Sequence, residues 1–383
     1  MDFQTCLDCG FKCERVCPAS RATRNFALRS FLQSYLERHV PLPWPCTCCH
    51  SCNAVCPAEV SPRQLVEQSD MEILQERETA ISDYCEEYKD RGRIGLSAVD
   101  LDRLEFLGRN VDSGGVFEVW DKIVIFPGCI VSSRFPGIVL ELYQLLVLLG
   151  VQQDRIIVED NLCCGSFLRH ASLEEFTEYG LHTLATLLHH GQNLLVLTAC
   201  GSCTSALSEL LESGKGDAAF AKHNVKDKQV EIMHYIELLA NPSVAPTLGN
   251  VLESKDEKNC VYFQFPCQAK AGDGNARRTI TRQVEMLLEK MGNTVKVLHD
   301  DLGCCGAAVL DMLPEAAIEY GIKRLENITM TDPPVVDTIL IACGNCYRMY
   351  SDFRPSIEVE GGNFDSEGPS VRFLIDLLID RLR

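Results

Sequence analysis

Cysteine is the residue type with which this sequence can do chemistry: there are 21 in 383 residues. Cys6, Cys9, Cys13 and Cys17 form one group, followed by Pro18; Cys46, Cys49, Cys52 and Cys56 form a second, followed by Pro57. Ten more fall into two sets of five. In the first set, Cys129 is followed after 33 residues by Cys163-Cys164, after 35 more by Cys200, and after two more by Cys203. In the second, the gaps are 36, 37 and two, through Cys267, Cys304-Cys305, Cys343 and Cys346. Thiolates are soft ligands for thiophilic metals. No apolar leader precedes Cys6, so disulfides, which belong to oxidising compartments, are not expected and metal is.

The second N-terminal group is the C-x2-C-x2-C-x3-C-P run of bacterial ferredoxins, and the first has one extra residue between its second and third cysteines. Three closely spaced thiolates wrap one 4Fe-4S cubane, and the fourth cysteine of each run ligates the other cubane. Cys6, Cys9, Cys13 and Cys56 are therefore expected to hold one cluster, and Cys46, Cys49, Cys52 and Cys17 the other. Zinc also takes four thiolates, but the doubled run and its prolines favour iron–sulfur. Cys48, Cys85 and Cys260 lie outside these spacings and read as ordinary cysteines.

The elements that position these groups differ along the chain. Phe26, Leu28, Phe31, Leu32 and Leu36 recur at helical spacing between the two N-terminal groups, and a long helical pattern follows them. From residue 122 the chain repeats itself: KIVIFPGC is matched by CVYFQFPC, NLCCGS by LGCCGA, and LLVLTACGSC by TILIACGNC. Three motif pairs in one order are an internal duplication. Each motif follows a short run rich in Val, Ile, Leu and Phe (IVIF, RIIVE, LLVL, VYFQF, TVKVL, TILIA), and helical patterns at 136–150, 173–190 and 277–291 alternate with these strands. Alternating strand and helix predicts parallel sheets covered by helices, with sites at the C-terminal strand ends. The fold class expected is a mostly α, ferredoxin-like N-terminal domain with two 4Fe-4S clusters (1–120), then a duplicated α/β region (121–255 and 256–383).

Composition narrows the function. The net charge of −18 argues against nucleic acid and anionic membranes as main partners. No apolar run is long enough to span a bilayer, and 137–151 contains Glu141 and reads as a buried helix. No Gly-rich dinucleotide fingerprint is present, so flavin or nicotinamide is expected on another chain. A cytoplasmic protein is implied, with any membrane attachment made through a partner.

The paired C…CCG…CxxC pattern resembles the cysteine-rich CCG domain. Its combination with the N-terminal cysteine runs resembles the heterodisulfide reductase family, with the small ferredoxin-like subunit and the catalytic subunit fused in one chain. The resemblance covers nearly the whole sequence and is weakest from about 58 to 120. It implies that each five-cysteine set holds a noncubane 4Fe-4S cluster, and that the substrate is the mixed disulfide of coenzyme M and coenzyme B, lying between the two sets. It also implies an electron donor, either a membrane cytochrome b or a soluble flavin-containing protein. Both coenzymes carry anions, so basic residues near the motifs become substrate-binding candidates: Arg134, Arg169, His170, Lys270 and Arg348, with His170 also a candidate proton donor. The CCG motif alone is shared with lactate, glycolate and glycerol-3-phosphate oxidising complexes. The alternative is thus an electron-transfer subunit of such a complex, or of a thiol:fumarate reductase.

Overall fold

The runs 123–126 and 194–198 are apolar nearly throughout and shut off from water, as strands buried on both faces of a parallel sheet must be. They form the centre of the first of two sheets in the computed structural model, which describes residues 12–15, 17, 115–160, 162–170, 173–212, 228–252, 259–269, 273–296, 303–310, 313–329, 336–352 and 368–381. The first sheet holds β1 (Lys122–Phe126), β2 (Ile156–Val158), β3 (Asn193–Thr198) and β4 (Gln229–His234) in the order β2-β1-β3-β4, all parallel. The second holds β5 (Cys260–Gln264), β6 (Thr294–Lys296), β7 (Thr338–Ile341) and β8 (Ser370–Phe373) in the equivalent order β6-β5-β7-β8. Two parallel α/β sheets of one topology bear out the duplication read from the repeated motifs.

The connections are helical. In the first half they are α1 (Cys129–Arg134), α2 (Pro136–Leu148), α3 (Leu173–Leu187), α4 (Gly201–Glu212), α5 (Tyr235–Leu239) and α6 (Ala245–Val251). In the second they are α7 (Gly274–Lys290), α8 (Pro314–Thr329), α9 (Gly344–Tyr347) and α10 (Leu374–Asp380). Pro136 starts α2, where a missing N–H is harmless. The Asp273 side chain caps α7 by accepting from the N–H groups of Asn275 and Ala276. α2 is buried over most of its surface, including Leu142, Leu145, Leu146 and Leu148, which explains why its sequence is apolar almost all round.

Each half reaches across to cover the other. α10, which follows the edge strand of the second sheet, packs on α2 of the first half, and α5, which follows the edge strand of the first sheet, packs on α7 of the second. Phe135 of the first half sits against Tyr347 and Phe373 of the second, with ring centroids 4.4 Å and 5.3 Å away. The exchange is reciprocal, so the halves are related as the partners of a two-fold dimer are.

Cys13 and Cys17 are buried among the described core residues, with the Cys17 amide donating to the Cys13 carbonyl at 3.0 Å. The helices expected between and after the N-terminal cysteine runs lie outside the described residues, as do Cys6, Cys9, Cys46, Cys49, Cys52 and Cys56. Among the described residues, no helix is long and apolar enough to cross a membrane.

Candidate redox site of ten cysteines

In both sheets the strand order reverses direction beside the first strand, which opens a crevice at the C-terminal edge. Cys129 lies at the start of α1, just past β1, and Cys200 and Cys203 lie at the start of α4, just past β3. The CCG loop after β2 adds Cys163 and Cys164. Cys267 follows β5, Cys343 and Cys346 follow β7, and the second CCG loop adds Cys304 and Cys305.

All ten sulfurs form one continuous string. In the first half, Cys129 Sγ lies 3.5 Å from Cys163 Sγ. Cys164 interacts in turn with Cys163 and Cys203, and Cys203 with Cys200. In the second half, Cys267 Sγ lies 3.7 Å from Cys304 Sγ. Cys305 interacts with Cys304 and Cys346, and Cys346 with Cys343. The halves join where Cys200 Sγ and Cys343 Sγ lie 3.9 Å apart. Cys129, Cys163 and Cys267 are half-buried, while the other seven are buried.

Glycine makes the close approach possible. Gly128 has φ of 78°, and a Cβ there would lie 2.5 Å from Cys203 Sγ, so the backbone closes directly over the sulfur. Gly165 and Gly306 also have positive φ, 70° and 86°, and their amides donate to Cys163 Sγ and Cys304 Sγ at 3.5 Å and 3.4 Å. A side chain at Gly306 would strike Tyr320 Cβ at 2.6 Å and the Ala317 carbonyl at 2.7 Å; one at Gly165 would strike Tyr179 Cδ1 at 2.9 Å. The same reciprocity recurs across the interface. Gly201 faces Pro266 and Ala269 of the second half, and Gly344 faces Ile130 and Val131 of the first. The Asn345 amide donates to Ser202 Oγ at 3.1 Å.

Packed thiols cannot all ionise together. Interaction with Cys163 and then Cys203 pushes the Cys164 thiol down, and interaction with Cys200 and then Cys346 pushes Cys343 down. Their neighbours are pushed up: Cys163 by Cys129, Cys203 by Cys164, Cys305 by Cys304, and Cys346 by Cys305. Among the described residues, no group of three or more His, Cys, Asp or Glu converges on a single-ion position. Five adjacent thiols per set, closed over by glycine backbone, fit a polynuclear sulfur-ligated group.

The basic candidates are placed differently. Arg134 is exposed at the end of α1. Arg169 is buried, donates to Glu209 Oε2 at 2.5 Å and lies 4.8 Å above the Phe176 ring. Arg348 is buried in the single π turn after α9. Lys270 and the side chain of His170 lie outside the described residues. Sequence reasoning missed Tyr179-Gly180 and Tyr320-Gly321, a repeated dipeptide whose tyrosines pack on the CCG-loop glycines. It also missed His234, which is buried between Cys343 and Ile236. Burial pulls its pKa down to about 4, and its Nδ1 accepts from the Ile236 amide at 3.3 Å.

Two tandem parallel sheets with a five-cysteine site at each C-terminal edge define a class, and comparison with known proteins gives it a name. The family model of the CCG cysteine-rich domain matches residues 123–208 and again 261–350. The chain thus carries two copies of the CCG cysteine-rich domain. It is 25% identical over 243 residues to one of the subunits of the ferredoxin:CoB-CoM heterodisulfide reductase of Methanosarcina mazei, a match covering 60% of this chain and 79% of that protein. The fold is similar to a hypothetical protein from Helicobacter pylori, with a TM-score of 0.50 at 10% identity, covering 100% of this chain and 73% of the other. The family likeness supports an iron–sulfur oxidoreductase.

Proposed function

We propose that the chain is a disulfide reductase that takes the coenzyme M–coenzyme B heterodisulfide to its two thiols. The observation that carries this reading is the meeting of two complete five-cysteine sets at Cys200 and Cys343, 3.9 Å apart. Cleaving a disulfide takes two electrons and two protons and yields two thiols. Cys129, Cys163, Cys164, Cys200 and Cys203 would hold one noncubane 4Fe-4S cluster, and Cys267, Cys304, Cys305, Cys343 and Cys346 the other. Such clusters supply one-electron reduction and a thiophilic iron. Two sets on either side of one S–S bond match the two electrons and the two departing sulfurs, so no thiyl radical need leave.

The protein's own residues bind, orient and exclude water. Seven of the ten cysteines are buried, and the half-buried ones, Cys129 with Cys163 and Cys267, are the two ends of the string. Arg134, exposed one helix from Cys129, is the described cation best placed to attract a sulfonate or phosphate. His170 keeps its proposed proton-donor role from its position just past the first CCG loop. Cys6, Cys9, Cys13 and Cys56, with Cys46, Cys49, Cys52 and Cys17, would hold two cubanes that relay electrons from a donor, either a membrane cytochrome b or a soluble flavin-containing protein.

Anaerobic reduction of the coenzyme M–coenzyme B disulfide by a reduced viologen tests the reading, on protein whose iron content corresponds to about four clusters per chain. Turnover is expected. Intact clusters without turnover would overturn the reductase reading and leave an electron-transfer subunit whose substrate chemistry belongs to another chain.

A further inference from the structure

The floors beneath the two cysteine sets are made of different material. Strand register and the repeated Tyr-Gly dipeptide align the halves residue by residue. β1 and β5 each pair with the strand ending two residues before the CxxC motif, so Val124 corresponds to Tyr262 and Phe126 to Gln264. Tyr179-Gly180 and Tyr320-Gly321 set Thr183 against Arg324, and the CxxC motifs set Leu207 against Tyr350.

In the second half these positions form a buried polar network. Arg324, 3% exposed, donates through Nε to Gln264 Oε1 at 2.7 Å and through Nη2 to the Tyr262 hydroxyl. The Tyr350 hydroxyl donates to the same Gln264 oxygen at 3.3 Å. Gln264 Nε2 donates to the Phe265 carbonyl at 3.0 Å and to the Gly303 carbonyl at 3.3 Å. The network therefore touches the strand leading to Cys267, the loop carrying Cys304 and Cys305, and the turn following Cys346. The Tyr350 phenol registers that nearness: burial pushes it up, Arg324 pulls it back, and charge on Cys305 and Cys346 pushes it further up. In the first half, Val124, Phe126 and Leu207 are fully buried apolar side chains, Thr183 makes one neutral hydrogen bond, to the Cys163 carbonyl at 2.7 Å, and the buried guanidinium near the first set, Arg169, is offset by the Glu209 carboxylate at 2.5 Å.

We propose that Arg324 and its network make the second cysteine site the more easily reduced of the two, so that an electron delivered to the pair rests there first. The proposal builds on the iron–sulfur reading above. One-electron reduction adds one negative charge and breaks no bond. A guanidinium held in a low-dielectric interior beside that charge favours the reduced form, whereas an apolar floor of Val124, Phe126 and Leu207 disfavours it. Cluster potentials respond to local charge, hydrogen bonding and burial. Arg324 acts here through the site it supports and touches no substrate, so it is a positioning residue.

EPR-monitored redox titration of two single-site chains tests this. C163S/C164S leaves the second site alone in the duplicated half, and C304S/C305S leaves the first alone. The second site is expected to titrate at the higher potential, by at least 59 mV, which is tenfold in a one-electron equilibrium. Adding R324M, or R324Q should R324M fail to accumulate, should lower the second site's midpoint and leave the first site's unchanged. R324K should restore most of the difference. Equal midpoints in the two chains would overturn the proposal. So would a midpoint indifferent to Arg324, which would mean its field is cancelled before it reaches the cysteines. Iron missing from both single-site chains and from the parent's duplicated half would instead overturn the iron–sulfur reading itself.

Discussion

The two CCG domains share a path and differ in what lies beneath it. Both place a positive-φ glycine after the cysteine pair, both pack a tyrosine on that glycine, and both lend a helix to the other half. What is kept is what converging five sulfurs demands: close backbone approach and a fixed crevice between the first and third strands of each sheet. What has changed is polarity, from Val124, Phe126, Thr183 and Leu207 to Tyr262, Gln264, Arg324 and Tyr350. The difference teaches that ligand geometry and local charge are set by separate residues, so one is free to diverge while the other is held.

Four outcomes would break or sharpen this comparison. The largest concerns whether the halves work as a pair. Either C163S/C164S or C304S/C305S should abolish disulfide turnover while leaving the iron of the other half in place. Turnover surviving the loss of one set would end the two-site reading.

Next come the paired glycines. Gly306→Ala combines a left-handed backbone with contacts at 2.6 Å and 2.7 Å, one of them to backbone, and should destabilise by about 4 kcal/mol. Gly165→Ala meets only the edge of a tyrosine ring at 2.9 Å and should cost about 2 kcal/mol. Denaturant midpoints of the two variants compare them directly, and equal losses would show that the loops are not held as differently as their contacts indicate.

A third outcome concerns the junction between halves. His234 has a folded-state pKa of about 4 against an ordinary 6.5, with burial as the main cause. The unfolded chain therefore binds the proton first as pH falls, and stability drops between pH 6.5 and 4. From pH 7 to 4.5 the loss should be about 2 kcal/mol from this residue. His234→Asn retains an N-cap for α5 and should flatten that part of the profile in denaturant titrations. An unchanged slope would mean that His234 is protonated in the fold.

The smallest effect is expected at Thr183. Replacement by Val removes one hydrogen bond, to the Cys163 carbonyl, and should cost about 1 kcal/mol. The equivalent Arg324→Met removes the donor of a buried network and should cost more, about 2–4 kcal/mol. Equal losses in thermal or denaturant unfolding would erase the energetic contrast between the floors.

Much of the fold was legible. β1, β3, β5 and β7 are short apolar runs before the repeated motifs, and they are strands for the reason the pattern implies, both faces being covered; β2 and β6, at the opposite sheet edges, were legible from the RIIVE and TVKVL runs that precede the CCG motifs. The edge strands β4 and β8 escaped notice. QVEIMH and SVRF mix charged and apolar residues because an edge strand is covered on fewer sides, and such short runs do not stand out from loops. The cysteines announced themselves by type and spacing, whereas His234 and Arg324 carried no motif. A lone histidine or arginine acquires meaning only from what packs around it.

The sequence alone determined that the cysteine region is duplicated, that each copy is α/β, and which ten cysteines the repeated motifs group, because motif spacing and strand periodicity are local properties of the chain. Only the tertiary structure decided that the two sets meet at Cys200 and Cys343, that each half lends a helix to the other, and that the Arg324 network lies under the second set where Val124, Phe126 and Leu207 lie under the first. Cys200 and Cys343 are 143 positions apart and Arg324 reaches Gln264 across 60, and such contacts are selected by how two sheets and their helices exclude water together, which no local pattern encodes.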